Sequence, residues 1–136
     1  MRNLDILKKQ HSEILALVEK IETLTRQDLK EAAKEIAFHI NALSGKLKVH
    51  LMSEDKFLYP DLMKNHNEIV RDTAQKFNAE MGGLADTLNM FVQKYNTYSK
   101  ILQNENSFKA ESKTIFHVIM DRMHREDHKL YLLIEK

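Results

Sequence analysis

The sequence contains no cysteine, which excludes disulfide bonds, thiolate catalysis and zinc sites built on cysteine. Neither charge is in excess, because 21 Lys and Arg stand against 20 Asp and Glu. This balance favours neither a nucleic-acid groove nor an anionic membrane surface. The N-terminal stretch "MRNLDILKKQHSEIL" lacks a long apolar run, so it predicts neither a signal peptide nor a membrane span. We therefore expect a soluble, cytoplasmic protein without nucleic-acid or membrane partners, and the sequence identifies no protein partner.

Proline and glycine are scarce, with one Pro and three Gly in 136 residues. Sustained alternation of polar and apolar residues is missing too, so the sequence predicts no strands. Apolar residues instead recur with the helical period in four stripes. The stripes are Ile6, Leu7, Ile14, Leu17, Val18 and Ile21; Ile36, Ile40, Leu43, Leu47, Leu51 and Leu58; Thr73, Phe77, Leu84, Leu88, Phe91 and Tyr95; and Ile115, Ile119, Met123, Leu130 and Leu133.

Three breaks separate these stripes, near residues 24–28, 60–66 and 98–108, where cap-type residues or the single proline occur. They leave four helices of roughly 18–35 residues joined by short links. This pattern predicts an all-α fold, an antiparallel up-down-up-down four-helix bundle. The length fits one domain over residues 1–136, and 30% charged with 43% hydrophobic residues is typical of a globular protein.

An internal echo relates the second and fourth helices. "HLMSEDKFLYPDL" from residue 50 and "RMHREDHKLYLLI" from residue 122 share Glu, Asp, Leu and Tyr in register. The matched pairs are Glu54 with Glu126, Asp55 with Asp127, Leu58 with Leu130, and Tyr59 with Tyr131. We expect a pseudo-two-fold relation between the two helices, as in bundles that build a site from facing helices. The two tyrosines are expected to close the bundle end with their hydroxyls in water.

Ionisable residues fall on the apolar stripes. Projection at about 100° per residue places five of them inward, namely His11, His50, Glu54, Glu80 and Glu126. Counted from one end of an antiparallel bundle, they span roughly 12 Å along the axis, within reach of converging side chains. Buried carboxylates need a proton, a paired cation or a metal. Histidine with carboxylate suits iron, manganese or zinc, so we predict a metal site.

A metal-free interpretation stays open beside this one. Arg122 lies one turn before Glu126 and could pair with Glu54, Glu80 and Glu126 in a polar network. The bundle would then be degenerate, with a structural or signalling role. The remaining histidines do not add to either hypothesis, because the stripe of His117, His124 and His128 points away from the apolar face.

The order of these residues resembles a known family. His11, then His50-x-x-x-Glu54 followed by "LYP", then a second "E-D-x-x-L-Y" beginning at Glu126 are similar to the hemerythrin-like (HHE cation-binding) domains over nearly the whole chain. The resemblance implies a four-helix bundle with a non-haem, usually di-iron, centre that serves oxygen binding, oxygen or redox sensing, or iron handling. It also implies that His11, His50, Glu54 and Glu126 occupy ligand positions; Glu80 is no part of it.

The chain departs from the family pattern at the other ligand positions. Histidines are expected on the third helix at about the level of Thr73, Phe77 and Met81, and on the fourth where Arg122 stands. The residues that remain could hold one metal or a carboxylate-rich pair. We therefore expect a metal-binding protein, not an enzyme, with mono- or dinuclear non-haem iron and with manganese and zinc left open. Its expected role is oxygen or nitric oxide binding or sensing, or iron handling.

Overall fold

The computed structural model describes residues 2–135, apart from the side chains of residues 2, 3, 81, 82, 134 and 135, and in this range the protein consists of helices joined by short links. The helices are α1 (Arg2–Thr25), α2 (Leu29–Ser53), α3 (Tyr59–Met63), α4 (Glu68–Tyr95), α5 (Tyr98–Gln103), α6 (Glu105–Arg125) and α7 (Leu132–Glu135). No strand occurs between residues 2 and 135, so the predicted all-α class is confirmed. Within the same range no helix has both the length and the apolar character that crossing a membrane requires.

Two π-helical turns interrupt the regular helices. The first π turn (Glu54–Leu58) joins α2 to α3, and the second π turn (Glu126–Leu130) extends α6. In each, the tyrosine that follows donates its backbone N–H to the carbonyl of the glutamate that begins the turn. The bond from Tyr131 to Glu126 measures 2.8 Å. Single π turns inside α-helices are frequent at functional sites, and both of these begin at a carboxylate.

Side-chain caps begin α2 and α4, near two of the predicted breaks. Asp28 accepts a hydrogen bond from the backbone N–H of Lys30 at the start of α2, and Asn67 does the same for Ile69 at the start of α4. Such caps satisfy backbone donors that have no partner inside the helix. The break predicted at 60–66 is narrower than expected, because Pro60 lies in the first turn of α3, where its missing N–H costs no helical bond. The break predicted at 98–108 instead contains α5 and the start of α6.

Buried apolar side chains form two clusters. The large apolar cluster includes Ile14, Leu47, Leu84 and Met123. The small apolar cluster consists of Leu4, Leu7, Leu58, Tyr59, Leu62, Val70, Ala74, Phe77, Leu130 and Tyr131.

The chain passes through these clusters in alternating order. Along α1 and α4, members of the small cluster come first; along α2 and α6 with their π turns, members of the large cluster come first. This alternation is compatible with the predicted up-down-up-down bundle, which stays a prediction. Between the two clusters lie buried polar side chains, His11 on α1, His50 on α2, and Glu54 and Glu126 at the start of the π turns. Those positions hold the candidate site.

Candidate metal centre

Four of the five predicted ligands meet in the interior. His11 comes from α1, His50 from α2, and Glu54 and Glu126 from the first residues of the two π turns. Their exposed fractions are 2% for His11 and 0% for the other three. One ligand atom from each lies within 4.8 Å of those of the others. Side chains from three separate parts of the chain therefore converge at one buried point.

Glu80 does not join them. Its side chain is 47% exposed and pairs with Arg122 at 2.9 Å and with Arg125 at 2.8 Å, and these arginines lower the pKa of its carboxyl. The expectation that Glu80 faces the core is wrong, because the buried face of α4 runs through Val70, Ala74 and Phe77. Thr73, assigned to that stripe from the sequence, lies off it and bonds its hydroxyl to the preceding turn.

A chain of hydrogen bonds fixes the orientation of His50. The Ser53 hydroxyl donates to the carbonyl of Val49 at 2.9 Å, so its oxygen accepts from the amide nitrogen of Gln10 at 3.3 Å. The carbonyl oxygen of Gln10 then faces Nδ1 of His50 at 2.9 Å. Because that oxygen can only accept, Nδ1 of His50 carries the hydrogen. The Nε2 atom of the neutral ring is left with a lone pair that points into the site.

His11 is oriented in the same way by a carboxylate. Its Nδ1 lies 2.9 Å from Oδ1 of Asp127, and since a carboxylate accepts, Nδ1 donates. Its Nε2 therefore also turns inward. Hydrogen bonds of this kind, made by the outer nitrogen of a histidine, set the tautomer and aim the inner nitrogen in protein metal sites.

The inward atoms are mostly acceptors at close range. Nε2 of His11 lies 3.0 Å from Nε2 of His50 and 2.9 Å from Oε1 of Glu126. Nε2 of His50 lies 3.3 Å from Oε1 of Glu54 and 3.5 Å from Oε1 of Glu126. Lone pairs that face one another at such distances repel unless a proton or a cation lies among them.

The pKa values of the two buried glutamates are shifted in opposite directions. Burial raises the pKa of Glu54 well above its ordinary value, and the neighbouring carboxylate of Glu126 raises it further. Burial also acts to raise the pKa of Glu126, but its contacts with His11 and His50 outweigh it and lower the pKa to about 2. Burial lowers the pKa of His50. These shifts favour the protonated form of Glu54, the ionised form of Glu126 and the neutral form of His50.

The donor set fits a single cation. Oε1 of Glu54 and Oε2 of Glu126 are buried without a hydrogen-bond partner, and unsatisfied buried oxygens are costly. Nitrogen and oxygen ligands held about 2.1 Å from one ion lie about 3 to 4 Å apart, the range found between the atoms described above. Imidazole with carboxylate suits iron, manganese and zinc. His11, His50, Glu54 and Glu126 are thus the residues that could hold the ion, and their role as ligands stays a prediction.

Tyr131 is a site residue that the sequence did not predict in this role. It is 0% exposed, and its hydroxyl donates to Oε2 of Glu54 at 3.1 Å and lies 2.9 Å from Nε2 of His11. The expectation that Tyr59 and Tyr131 keep their hydroxyls in water is wrong, because Tyr59 is 4% exposed. The echo of "E-D-x-x-L-Y" was the signal that could have found Tyr131, since it ties this tyrosine to a ligand carboxylate.

Arg122 closes the site on the side of α4. It is 4% exposed, its guanidinium donates to the backbone carbonyl of Phe77, and its Cζ lies 4.3 Å from the centre of the Phe77 ring. Phe77 and Arg122 therefore occupy two of the positions where the family resemblance implies histidine. The side chain of Met81, the third residue named for α4, lies outside the described residues.

The other histidines of the fourth helix lie on the surface, as predicted. His117, His124 and His128 are exposed. The rings of His124 and His128 are 4.2 Å apart, centre to centre, one turn from each other on the outer face. They are separate from the buried centre.

A comparison with known families identifies the chain. The family model described as Hemerythrin HHE cation binding domain matches residues 2–134. Neither a curated protein nor a solved structure matches the chain.

Proposed function

Because this chain belongs to the hemerythrin HHE cation-binding family, we propose that it binds non-haem iron at His11, His50, Glu54 and Glu126. The proposed role is the binding or sensing of oxygen or nitric oxide, or the handling of iron. It is a binding role and not enzymatic turnover. The proposal includes an up-down-up-down four-helix bundle, which the alternating order of the apolar clusters along the four long helices supports.

The convergence of two imidazoles and two carboxylates at one buried point carries the proposal. Asp127 and Gln10 each take an Nδ1 hydrogen, so the Nε2 atoms of both rings are turned inward and meet at 3.0 Å, with Oε1 of Glu126 2.9 Å from that of His11. An apolar interior penalises such an arrangement. A cation bound by these nitrogen and oxygen atoms removes the cost of burying them.

The chain supplies the surroundings of the ion. Iron, when bound, would supply one-electron redox chemistry and affinity for diatomic ligands. The apolar clusters on both sides of the polar layer keep water out, and Tyr131 holds Glu54 by a hydrogen bond. Partners of this kind outside the ligands adjust the strength of metal binding.

The alternative is a metal-free bundle held by the Arg122–carboxylate network. In its favour, Arg122 is buried and hydrogen-bonded to Glu80 at 2.9 Å. Against it, Nε of Arg122 approaches Oε2 of Glu126 only to 3.7 Å, and one oxygen each of Glu54 and Glu126 keeps no hydrogen-bond partner. The network therefore supplies hydrogen bonds to the exposed Glu80, and it leaves one oxygen each of the buried Glu54 and Glu126 without a hydrogen-bond partner.

Purification from iron-supplemented cells, followed by elemental mass spectrometry and visible absorption, tests the proposal. We expect iron to co-purify and the melting temperature to fall when a chelator removes it. At a free ion concentration of about 100 times Kd, binding stabilises a fold by about 2.7 kcal/mol. With an unfolding entropy of about 2.1 cal/mol/K per residue, this corresponds to a melting-temperature difference of about 9 °C for a chain of 136 residues.

Two variants separate the buried centre from adventitious binding. His50→Ala removes a proposed ligand and should abolish the metal-dependent part of the melting temperature. The double change His124→Ala, His128→Ala removes the exposed histidine pair and should leave it intact. A chain that binds no metal, with the same melting temperature with and without chelator, refutes the proposal and favours the metal-free bundle.

A further inference from the structure

The two segments that contain the π turns have the same arrangement of glutamate and tyrosine, but they differ in the residue one helical turn before the glutamate. His50 stands one turn before Glu54, and Arg122 stands one turn before Glu126. Both glutamates begin a π turn, and a buried tyrosine follows each turn. Where the first segment presents an imidazole that can bind a cation, the second presents a guanidinium that is itself a cation.

The guanidinium of Arg122 is fixed in place by several contacts. It donates to Oε2 of Glu80 at 2.9 Å and to the backbone carbonyl of Phe77. It also stacks over the Phe77 ring, 4.3 Å from the ring centre, where a cation is attracted by the aromatic face. A planar group held on three sides and 4% exposed cannot swing out to make room for an ion.

Glu126 lies between this guanidinium and the imidazoles. Its Oε1 faces Nε2 of His11 and of His50 at 2.9 and 3.5 Å. Its Oε2 faces Nε of Arg122 at 3.7 Å. A carboxylate that could bridge two metal ions thus has the imidazoles on one oxygen and a permanent positive charge beside the other.

We propose that the centre takes one metal ion, and that the guanidinium of Arg122 occupies the place of a second. The inference rests on the proposed function and narrows it to a mononuclear site. A guanidinium and a phenyl ring offer no lone pair to a metal, so Arg122 and Phe77 provide no ligands. Two divalent ions beside two carboxylates and Arg122 would also leave a large excess of positive charge in a dry layer.

Titration of the metal-free protein with Mn²⁺ measures the number of ions directly. The His124→Ala, His128→Ala background removes the exposed histidine pair, and native mass spectrometry with electron paramagnetic resonance gives the count. We expect one Mn²⁺ per chain and the six-line spectrum of an isolated ion. Two ions per chain with an exchange-coupled spectrum overturn the inference and leave the proposed function standing. No bound ion overturns both.

A matched pair of variants tests the role assigned to Arg122. Arg122→Gln removes the charge nearest to Glu126, so the one ion should bind at least about tenfold more tightly, since repulsion between like charges is lost. Arg125 shares two of the other contacts of Arg122, because it pairs with Glu80 at 2.8 Å and lies 5.2 Å from the Phe77 ring centre. It makes no ion pair with Glu126 among the described residues, so Arg125→Gln should change the affinity by less than about twofold.

Equal affinities for the Arg122→Gln and Arg125→Gln chains would overturn the role of the guanidinium. Should Arg122→Gln fail to fold, the ion count of the unsubstituted chain still decides the proposal.

Discussion

The two buried tyrosines allow a controlled test of the site, because they differ in one hydrogen bond. Tyr131 donates to Oε2 of Glu54 at 3.1 Å, whereas the hydroxyl of Tyr59 is buried without a hydrogen-bond partner. The residues correspond in the internal echo, and each follows a π turn. Tyr131→Phe therefore removes a hydrogen bond to a ligand, and Tyr59→Phe removes a hydroxyl that makes none.

The expected difference follows from the cost of an unsatisfied buried polar group. Loss of the Tyr131 hydroxyl leaves a second oxygen of Glu54 unpaired in a residue that is 0% exposed, at a cost of about 2 kcal/mol. For 136 residues the unfolding entropy is about 0.3 kcal/mol/K, so the melting temperature of the metal-free protein should fall by about 7 °C. Tyr59→Phe should lie within about 0.5 kcal/mol of the unsubstituted chain, because no hydrogen bond is lost.

Thermal unfolding followed by circular dichroism, in the presence of a chelator, measures this difference. Mn²⁺ titration of the same proteins gives a second comparison. We expect affinity to fall about tenfold or more for Tyr131→Phe, since Glu54 is no longer held, and to stay unchanged for Tyr59→Phe. Equal melting temperatures for the two variants would show that the hydroxyl of Tyr131 does not support the site.

Three further predictions concern the ligand carboxylates, the core and α2. Because the pKa of Glu54 is raised, its contribution to metal-free stability is present below the unfolded pKa of about 4.5 and is lost as pH rises through the folded value. The melting-temperature gap between metal-bound and metal-free protein should therefore widen as pH rises, and calorimetry should find that protons are released when the ion binds. Glu80→Gln should leave the Mn²⁺ count unchanged, as Glu80 is 47% exposed; a lost ion would restore Glu80 as a ligand. Gly45→Ala should raise the melting temperature by about 3 °C, since a Cβ there meets no atom within 4 Å and alanine favours a helix interior by about 1 kcal/mol; urea unfolding checks it, and a lower stability would contradict it.

Much of the site could be predicted because, along a regular α-helix, the residues that recur with the helical period share one face, and that face is the buried one. His11 and His50 lie in uninterrupted α-helix, where a rotation of 100° per residue holds. Both were expected on the inner face, and both are buried. Glu54 and Glu126 begin the π turns, so the regular period still applied up to each of them.

The errors have two sources, namely the π turns, where that period does not apply, and the choice of the inner face along the regular helices α4 and α1. Each π turn adds a residue to the turn, which rotates everything after it and carries Tyr59 and Tyr131 into the interior. No composition signal marks such a turn. On α4, the inclusion of Thr73 in the apolar stripe rotated the projected face toward Glu80. On α1, Ile6 was placed on the stripe and is 48% exposed, because Leu4 and Leu7 take the inner positions.

The charges of the buried layer explain how a chain can fold around it without a metal. Burial raises the pKa of Glu54 and so favours its neutral form, and Glu126 has the guanidinium of Arg122 beside its second oxygen, so neither carboxylate stands as an uncompensated buried charge. A cation that binds competes with a proton for Glu54. Because Arg122 stays, the ion meets a layer that already holds one positive charge. The affinity for the metal ion should therefore depend on pH through Glu54 and on the positive charge of Arg122. Because the two effects come from different residues, each can be changed separately by substitution.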